Sequence, residues 1–296
     1  MNNARQSYLY AGLAILFWST VPTAFKICLN ELGVLPMLMI ASITSALVLF
    51  LLLTAGNKLS LLRKPLARDL LNSAILGLIN PFLYYLILLR AYQLLPAQVA
   101  QPLNMIWPII LVFLSVSLLK QKIKPKSFAA LFISFAGVYI ISSRGTLFSQ
   151  VHSDLKGVLL ATGSSVFWAF YFIINMKDKR DEAVKLFLNF LFGSVYLIIA
   201  MIVTNAWQSL HFSTKGFLSA VYIGCFEMGI TFFFWLKALQ LAPSTDKVSN
   251  LVYIAPFLSL FFVHFILHEP VYYTTPVGLL LIIAGILIQN SKPKGG

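Results

Sequence analysis

The chain consists mainly of long apolar stretches separated by short polar segments. About 20 residues of helix cross the hydrocarbon core of a bilayer, and ten stretches are close to that length. They lie at residues 8–27, 35–54, 69–89, 97–119, 128–142, 156–175, 184–203, 216–236, 249–267 and 274–290. The loops between them are too short to fold as separate soluble domains. The pattern predicts an all-α polytopic membrane protein with ten transmembrane helices.

Composition and charge agree with a membrane protein. Of the 296 residues, 59% are hydrophobic and 10% are charged, a balance that the surface of a soluble protein does not tolerate. The net charge of +13 would suit nucleic acid, but most lysines and arginines fall in alternate loops, as the positive-inside rule requires. We therefore expect no nucleic-acid partner, a multi-pass location in the inner (cytoplasmic) membrane, and both termini in the cytoplasm.

The second half of the chain repeats the first. Matching positions lie 147 residues apart up to the fourth helix and 148 apart beyond it, and they include the pairs Gly77/Gly224, Gln93/Gln240, Pro96/Pro243, Pro108/Pro256 and Gly137/Gly285. The repeat predicts two domains, residues 1–150 and 151–296, with five helices each. Because five is odd, the second domain crosses the membrane inverted relative to the first, an arrangement typical of alternating-access transporters.

Glu227 is an acidic residue in the middle of the eighth predicted helix. Placing a charge there costs about 2.5–3.5 kcal/mol, so such residues are usually functional. Glu227 could carry a coupling proton or pair with a cationic substrate group; alternatively, a protonated carboxyl could hydrogen-bond a neighbouring helix. Its repeat equivalent is Asn80, followed by Pro81 and, one turn on, by Tyr84. That polar turn could line a cavity or join helices.

Aromatic and polar side chains share one face of the sixth helix. Ser164, Trp168, Tyr171 and Asn175 follow at helical spacing, so this face should point into the bundle. Trp168 could stack on a planar substrate or attract a cation; the alternative is a residue of the interfacial aromatic belt.

Other helices offer similar residues. The fourth helix carries Asn104 beside Trp107, Trp18 resembles Trp168 by repeat position, and Tyr253 gives the ninth helix a weaker polar-aromatic face. We expect bends at Pro108 and Pro256. The phenylalanine run 232–234 is expected to contact lipid, and Trp235 to belong to the belt.

Several of these motifs carry a family resemblance. They are Phe17-Trp18-Ser19-Thr20, Phe167-Trp168-Ala169, residues 91–96, Leu103-Asn104, Trp107-Pro108 and residues 253–256. With them the chain resembles the EamA-type branch of the drug/metabolite transporter superfamily, and residues 18–20 and 104–108 look most like aromatic amino acid exporters. Gln121 stands where the family often has Glu, which only Glu269 keeps; we expect this helix-end position to be structural.

Together these features predict a secondary transporter that exports small metabolites, with amino acids, especially aromatic ones, preferred. Glu227 is the candidate proton or cation site. The expected site near the membrane midplane, between the two halves of the chain, is formed by Trp18, Asn80, Tyr84, Asn104, Trp107, Trp168, Tyr171, Glu227 and Tyr253. Enzymatic and ATP-binding motifs are absent from the sequence, so we expect neither catalysis nor a cofactor. The expected partners are the substrate and the lipid bilayer.

Three alternatives stay open at this point. A multidrug or quaternary-ammonium exporter would use the same aromatic and acidic residues. A channel or other non-transporting membrane protein is a different class. The oligomeric state is also open, with a homodimer as one alternative.

Overall fold

The computed structural model describes residues 3–63, 66–119, 125–146, 154–209, 213–242, 248 and 251–290. Thirteen α-helices are found in these residues: α1 Asn3–Glu31, α2 Val34–Ala55, α3 Ala67–Gly77, α4 Tyr84–Leu94, α5 Ala97–Asn104, α6 Trp107–Leu119, α7 Pro125–Ser142, α8 Leu155–Lys177, α9 Glu182–Val203, α10 Thr214–Phe226, α11 Ile230–Leu241, α12 Ile254–Leu267 and α13 Thr274–Asn290. Short 3-10 helices occupy Leu59–Leu62, Ala206–Ser209 and Leu251–Tyr253, and a π-helical turn occupies Leu78–Leu83.

The predicted all-α membrane architecture is confirmed. Within the described residues, six helical segments are long and apolar enough to cross a membrane, and three shorter apolar helices accompany them. The fourth predicted segment, residues 97–119, is divided into α5 and α6. Each predicted stretch therefore corresponds to helical structure.

Three predicted helices are interrupted. The first two interruptions lie beside Pro81 and just before Pro108, where the prolines predict a break or bend, whereas the prediction of a continuous helix was wrong at the third. The first break lies at Asn80, whose extended backbone (φ −144°, ψ 118°) precedes Pro81; proline cannot donate the next helical hydrogen bond. The second separates Asn104 from Trp107, and the third spans residues 227–229, where Gly229 leaves helical angles (φ −116°, ψ −97°). Each break leaves backbone groups without their helical partners.

The two prolines expected to cause bends lie just after helix starts. Pro108 is the second residue of α6, and Pro256 is the third residue of α12, which follows a 3-10 turn. Proline is tolerated in the first turn of a helix because its missing N–H has no helical acceptor there. The helix axis is therefore interrupted before each proline, so the predicted bends are present.

The chain divides into two compact units. The first unit contains Met1–Leu86 and Lys179–His268, and the second contains Ile87–Asp178 and Glu269–Gly296. Each unit therefore combines segments from both halves of the chain. The division into repeats at residues 1–150 and 151–296 concerns the sequence and stays a prediction.

In the first unit, one glycine contact occurs twice. Gly77 of α3 lies against the backbone of Asn189 in α9, and Gly224 of α10 lies against the backbone of Ala41 in α2. Gly224 is the repeat equivalent of Gly77, and Ala41 and Asn189 are each the eighth residue of their helices, α2 and α9. A Cβ at position 224 would also lie 2.6 Å from Cβ of Thr44. A helix of each chain half thus packs against a helix of the other half, and both contacts are close enough to require glycine.

In the second unit, α7 crosses α13 at small residues. A Cβ built on Gly137 would lie 2.5 Å from the carbonyl oxygen of Gly278, and a Cβ on Gly278 would lie 2.6 Å from that of Gly137. Gly285 meets the carbonyl oxygen of Ala130 in the same way, at 2.7 Å. These small residues therefore permit close packing of the two helices.

Polar contacts join the loops at each end of the first unit. Lys58 Nζ lies 2.7 Å from Asp181 Oδ2 at one end, and Ser213 Oγ donates to Glu31 Oε2 at 2.6 Å at the other. Burial raises the pKa of Asp181, but the Lys58 ammonium and two backbone N–H groups outweigh burial and hold this pKa below its ordinary value. Successive helices cross the membrane in alternate directions. Each of these two contacts therefore joins two loops that are expected on the same side of the membrane.

In the second unit, Glu269 has the structural role expected for it. Its Oε1 accepts a hydrogen bond from the backbone N–H of Ala97 at 3.2 Å, at the start of α5. The neighbouring Gln98 accepts from the backbone N–H of Tyr272 at 3.1 Å. Gln121, the corresponding position in the first half, lies outside the described residues.

Candidate functional site

The first candidate cluster lies in the first unit, at the break between α10 and α11. Glu227 directly follows the last residue of α10, and its N–H still donates to the carbonyl of Ile223 at 2.8 Å. The side chain is half-buried. Glu227 therefore lies at the carboxyl end of α10, where the helix dipole favours a cation. The end carbonyls of Ile223 and Phe226 accept hydrogen bonds from the Glu227 N–H and from the Thr231 hydroxyl.

Tyr85 holds one oxygen of this carboxylate. Its hydroxyl donates to Glu227 Oε1 at 2.9 Å, and the Tyr85 side chain is only 1% exposed. Among the described residues, no partner donates a hydrogen bond to the other oxygen, Oε2. Glu227 therefore accepts a hydrogen bond from a neighbouring helix through Oε1. Its second oxygen, Oε2, can still accept a hydrogen bond from a ligand or bind a proton.

Asn80 lies at the equivalent break of the first half. It is 2% exposed, and its Oδ1 has no hydrogen-bond partner among the described residues. A buried acceptor without a donor is costly. Asn80 makes no hydrogen bond to Glu227. Tyr84, one turn further, is 5% exposed, and its ring centroid lies 4.7 Å from that of Tyr85.

An aromatic cluster on α1 and α11 surrounds Trp18. The Trp18 ring lies 5.5 Å from that of Trp235 and meets Phe232 edge-on at 5.8 Å. Phe234 packs against Phe17, with centroids 6.2 Å apart. The expected lipid contact was therefore wrong for Phe232 and Phe234, whose rings pack against α1. The belt assignment of Trp235 stays a prediction.

The physical reason is helical geometry. Successive residues of a helix point about 100° apart, so three consecutive phenylalanines cannot all face lipid. Phe233 alone of the three is exposed, at 37%.

The second candidate cluster lies in the second unit, where α5 ends. Asn104 Nδ2 donates to Ser164 Oγ at 2.7 Å, and Ser165 Oγ donates to the carbonyl of Asn104 at 2.8 Å. Asn104 is the last residue of α5, so its carbonyl has no helical partner. The hydroxyls of α8 thus close this helix end. The predicted inward orientation of the Ser164 face is confirmed.

Two tryptophans meet beside this helix end. The rings of Trp107 and Trp168 are 6.4 Å apart and inclined at 80°, an edge-to-face pair. Tyr171 lies 5.7 Å from Trp168, and Phe172 lies 5.6 Å from Trp107. Both tryptophans are half-buried, whereas Tyr171 is 4% exposed. The tryptophans therefore retain surface that a planar ligand could cover.

The predicted site residues are thus distributed over both units. Trp18, Asn80, Tyr84, Glu227 and Tyr253 belong to the first unit, and Asn104, Trp107, Trp168 and Tyr171 belong to the second. Tyr253 is half-buried and ends the 3-10 turn before α12. Their role in substrate binding stays a prediction.

Sequence reasoning missed Tyr85 and Trp235. A signal for Tyr85 existed, because a carboxylate inside the membrane needs a donor and Tyr85 lies five residues after Asn80. No comparable signal marked Trp235, since a tryptophan near a helix end is typical of the interfacial belt.

Inverted repeats of membrane-length helices, with polar residues where those helices break, are the architecture of a multi-pass membrane transporter. The EamA-like transporter family matches the chain twice, at residues 5–143 and 155–291. The chain therefore belongs to the EamA-like transporter family.

Named relatives and a solved structure agree with this assignment. The chain is 28% identical over 222 residues to the uncharacterized transporter YvbV of Bacillus subtilis, covering 74% of this chain and 71% of the relative. It is 24% identical over 285 residues to a protein named aromatic amino acid exporter YddG of Ancylobacter novellus, covering 94% and 93%. A protein of known crystal structure shares the fold with a TM-score of 0.66 at 21% identity, over 97% of both chains.

Proposed function

We propose that this protein exports amino acids, with aromatic and bulky apolar side chains preferred, by alternating access coupled to protons. The observation that carries the proposal is the Glu227 carboxylate, held by Tyr85 at 2.9 Å at the break between α10 and α11. An amino acid presents an ammonium group, and a carboxylate at the carboxyl end of a helix is suited to bind it, because the helix dipole favours positive charge there.

Proton coupling follows from the same carboxylate. Glu227 Oε2 can hold either the substrate ammonium or a proton, and each excludes the other. A proton that enters with its gradient would displace the ammonium, and the carboxylate could then release that proton on the opposite side. When a proton and a substrate compete for the same group, the carrier exchanges one for the other, which is antiport. Inward movement of protons would therefore drive substrate outward.

The tryptophan pair of the second unit supports a preference for aromatic side chains. Trp107 and Trp168 form an edge-to-face pair with surface still accessible. Aromatic rings gain about 0.5–1.5 kcal/mol from such contacts beyond the burial of their area. An aromatic substrate would therefore bind more tightly than an aliphatic one of similar size. The name of the Ancylobacter relative, an aromatic amino acid exporter, supports both substrate class and direction.

Alternating access is supported by the duplicated glycine contacts. Gly77 against Asn189 and Gly224 against Ala41 are equivalent contacts made by opposite halves of the chain. A fold that contains the same packing twice in inverted form has two arrangements of nearly equal energy, one open to each side.

A second candidate function is export of quaternary-ammonium compounds. The observation that favours it is the cluster of Trp18, Trp235 and Phe232 in the same unit as Glu227. Cations bind over aromatic faces, tryptophan best of all, and Glu227 would supply the opposite charge.

The orientation in the membrane is also a proposal. The distribution of lysine and arginine favours an inner-membrane protein with both termini in the cytoplasm. Reporter fusions at the two termini test this orientation, and a periplasmic signal from either fusion would contradict it.

A substrate panel in proteoliposomes tests the function. Proteoliposomes that contain the purified protein are loaded with one unlabelled compound. Counterflow of labelled aromatic amino acids, aliphatic amino acids and cationic dyes is then measured with and without an imposed pH gradient. The proposal expects saturable counterflow of aromatic amino acids, accelerated by the gradient. Counterflow of cationic dyes alone would favour the second candidate, and unsaturable flux without counterflow would indicate a channel.

A further inference from the structure

The loop between α2 and α3 presents leucines outward. Leu59, Leu61 and Leu66 are 39%, 54% and 69% exposed. Leu62, in the same 3-10 helix, instead packs against the buried cluster that includes Leu53 and Leu188. Leu62 therefore anchors the turn to the bundle and fixes its two neighbouring leucines on the outer side.

Two arginines accompany these leucines. Arg63 and Arg68 are exposed, and within the described part of the chain neither has an ion-pair partner. We call the surface formed by Leu59, Leu61, Leu66, Arg63 and Arg68 the leucine–arginine surface. It combines apolar side chains with uncompensated positive charge, directly at the ends of two membrane-length helices.

The acids near this surface are largely engaged. Asp181 pairs with Lys58 at 2.7 Å, and Glu182 pairs with Lys185 at 2.7 Å. Within the described residues of α2, α3 and the 3-10 helix between them, Asp69 in the first turn of α3 is the one acid. The charge that the surface offers to its surroundings is therefore positive.

The second half of the chain contains the same turn without these arginines. The 3-10 helix Ala206–Ser209 lies 147 residues after Leu59–Leu62, and each is preceded by an asparagine with positive φ, Asn57 at 53° and Asn205 at 52°. Leucine 210 and lysine 215 stand where the first half has Arg63 and Arg68. The asparagine with positive φ and the 3-10 helix after it thus occur in both chain halves, whereas the two arginines occur only in the first.

Lys215 also differs in its surroundings. Its Nζ lies 3.8 Å from Glu31 Oε1, so its charge is partly compensated. Because the repeats are inverted, the two turns face opposite sides of the membrane. The difference between them is therefore a difference between the two leaflets.

We propose that the leucine–arginine surface docks onto anionic phospholipid of the leaflet it faces, with phosphatidylglycerol as the model lipid. The arginines bind the headgroup phosphates, for which a guanidinium is geometrically suited. The leucines enter the boundary between headgroups and acyl chains, as in interfacial segments generally. Charge complementarity selects this occupant, because an anionic leaflet attracts basic residues at its surface.

A fluorescent probe at position 61 tests the proposal. The variant Leu61→Cys, made together with Cys28→Ala and Cys225→Ala, is labelled with an environment-sensitive dye and reconstituted in nanodiscs of phosphatidylcholine with increasing phosphatidylglycerol. Nanodiscs expose both leaflets, so orientation does not matter. We expect the emission to shift to shorter wavelength as phosphatidylglycerol increases. Removing the charges with Arg63→Gln and Arg68→Gln should raise the half-saturating phosphatidylglycerol fraction about fivefold for each arginine.

The repeat supplies the matched control. Gln208 is the exposed equivalent of Leu61 in the second turn, and a probe on Gln208→Cys in the same background should not respond to phosphatidylglycerol. The proposal is overturned if the probe at position 61 is equally insensitive, or if its response survives in the double arginine variant. Because both arginines are exposed, that variant should keep the unfolding temperature of the parent, which is measured in the same nanodiscs.

Discussion

Asn80 and Glu227 lie at equivalent points of the two chain halves, and at both points a membrane-length helix is interrupted. Asn80 has extended backbone angles before Pro81, whereas Glu227 directly follows the last residue of α10. The break is therefore symmetric and the side chain is not. Equivalent breaks in the two chain halves therefore carry a neutral amide in one and a carboxylate in the other.

Tyr85 is expected to tune the carboxylate. The variant Tyr85→Phe removes the hydroxyl that donates to Glu227 and leaves the ring in place. A hydrogen bond to a charged group contributes about 1.5–3 kcal/mol, so we expect substrate affinity in counterflow assays to change at least about tenfold, while the unfolding temperature changes little.

Tyr196→Phe is the matched control for this substitution. Tyr196 lies in the same unit and donates instead to the backbone carbonyl of Ala74 at 3.2 Å. Loss of the Tyr196 hydroxyl should change substrate affinity by no more than about twofold. A neutral hydrogen bond contributes only about 1 kcal/mol, and here it contributes to the stability of the fold and not to substrate binding. Equal effects of the two variants would show that the Tyr85 hydroxyl has no special role.

Gly224 is expected to be indispensable for packing. A Cβ at this position meets the Ala41 carbonyl and lies 2.6 Å from Cβ of Thr44, and overpacking of this kind costs about 1–3 kcal/mol. Gly224→Ala should lower the unfolding temperature in detergent. Gly12→Ala is the control, because no atom lies within 4 Å of its built Cβ and alanine favours a helix. An equally stable Gly224→Ala protein would contradict the close contact.

Trp168 is expected to select aromatic substrates. Trp168→Ala removes the partner of Trp107 and should raise the KM for aromatic amino acids about tenfold, while Trp168→Phe retains much of the contact. Aliphatic substrates should be affected less. Trp207→Ala, at an exposed position in the 3-10 helix Ala206–Ser209, controls for the general loss of a tryptophan. A uniform change for all substrates would exclude selection by Trp168.

The ion pair of Lys58 and Asp181 should make stability depend on pH. Because the pKa of Asp181 is lowered in the folded state, its contribution is complete above the unfolded pKa and is lost as the pH falls through the lower folded value. Asp181→Asn keeps a side chain able to cap α9 but removes the charge, so at neutral pH it should destabilise by less than about 1 kcal/mol.

Asp181→Ala removes the cap as well and should cost about 1 kcal/mol more. Thermal unfolding at neutral and acidic pH measures both variants. The difference between wild type and Asp181→Asn should shrink as the pH is lowered; a difference that grows would contradict the lowered pKa.

Much of the fold could be predicted because membrane helices depend on local composition. Ten apolar stretches identified the helical segments, and Pro81 indicated an interruption. The break at residues 105–106 lies just before Pro108, where a bend was expected, whereas the break at residues 227–229 follows no proline and was not predicted. Contacts such as that of Tyr85 with Glu227, 142 residues apart, depend on helix packing. A single sequence contains no direct record of that packing.

The most direct test of proton-coupled export measures proton and substrate movement together in Glu227→Gln. Proteoliposomes contain a pH-sensitive dye and a labelled aromatic amino acid, and wild type should exchange substrate for protons in a fixed ratio. Glutamine keeps the size of the side chain but binds no proton, so the variant should lose both gradient-driven transport and substrate-dependent proton flux. Asp69→Asn, which changes an acid outside the candidate clusters, should retain both. Proton-coupled transport by Glu227→Gln at the wild-type rate and with the wild-type pH dependence would contradict the account.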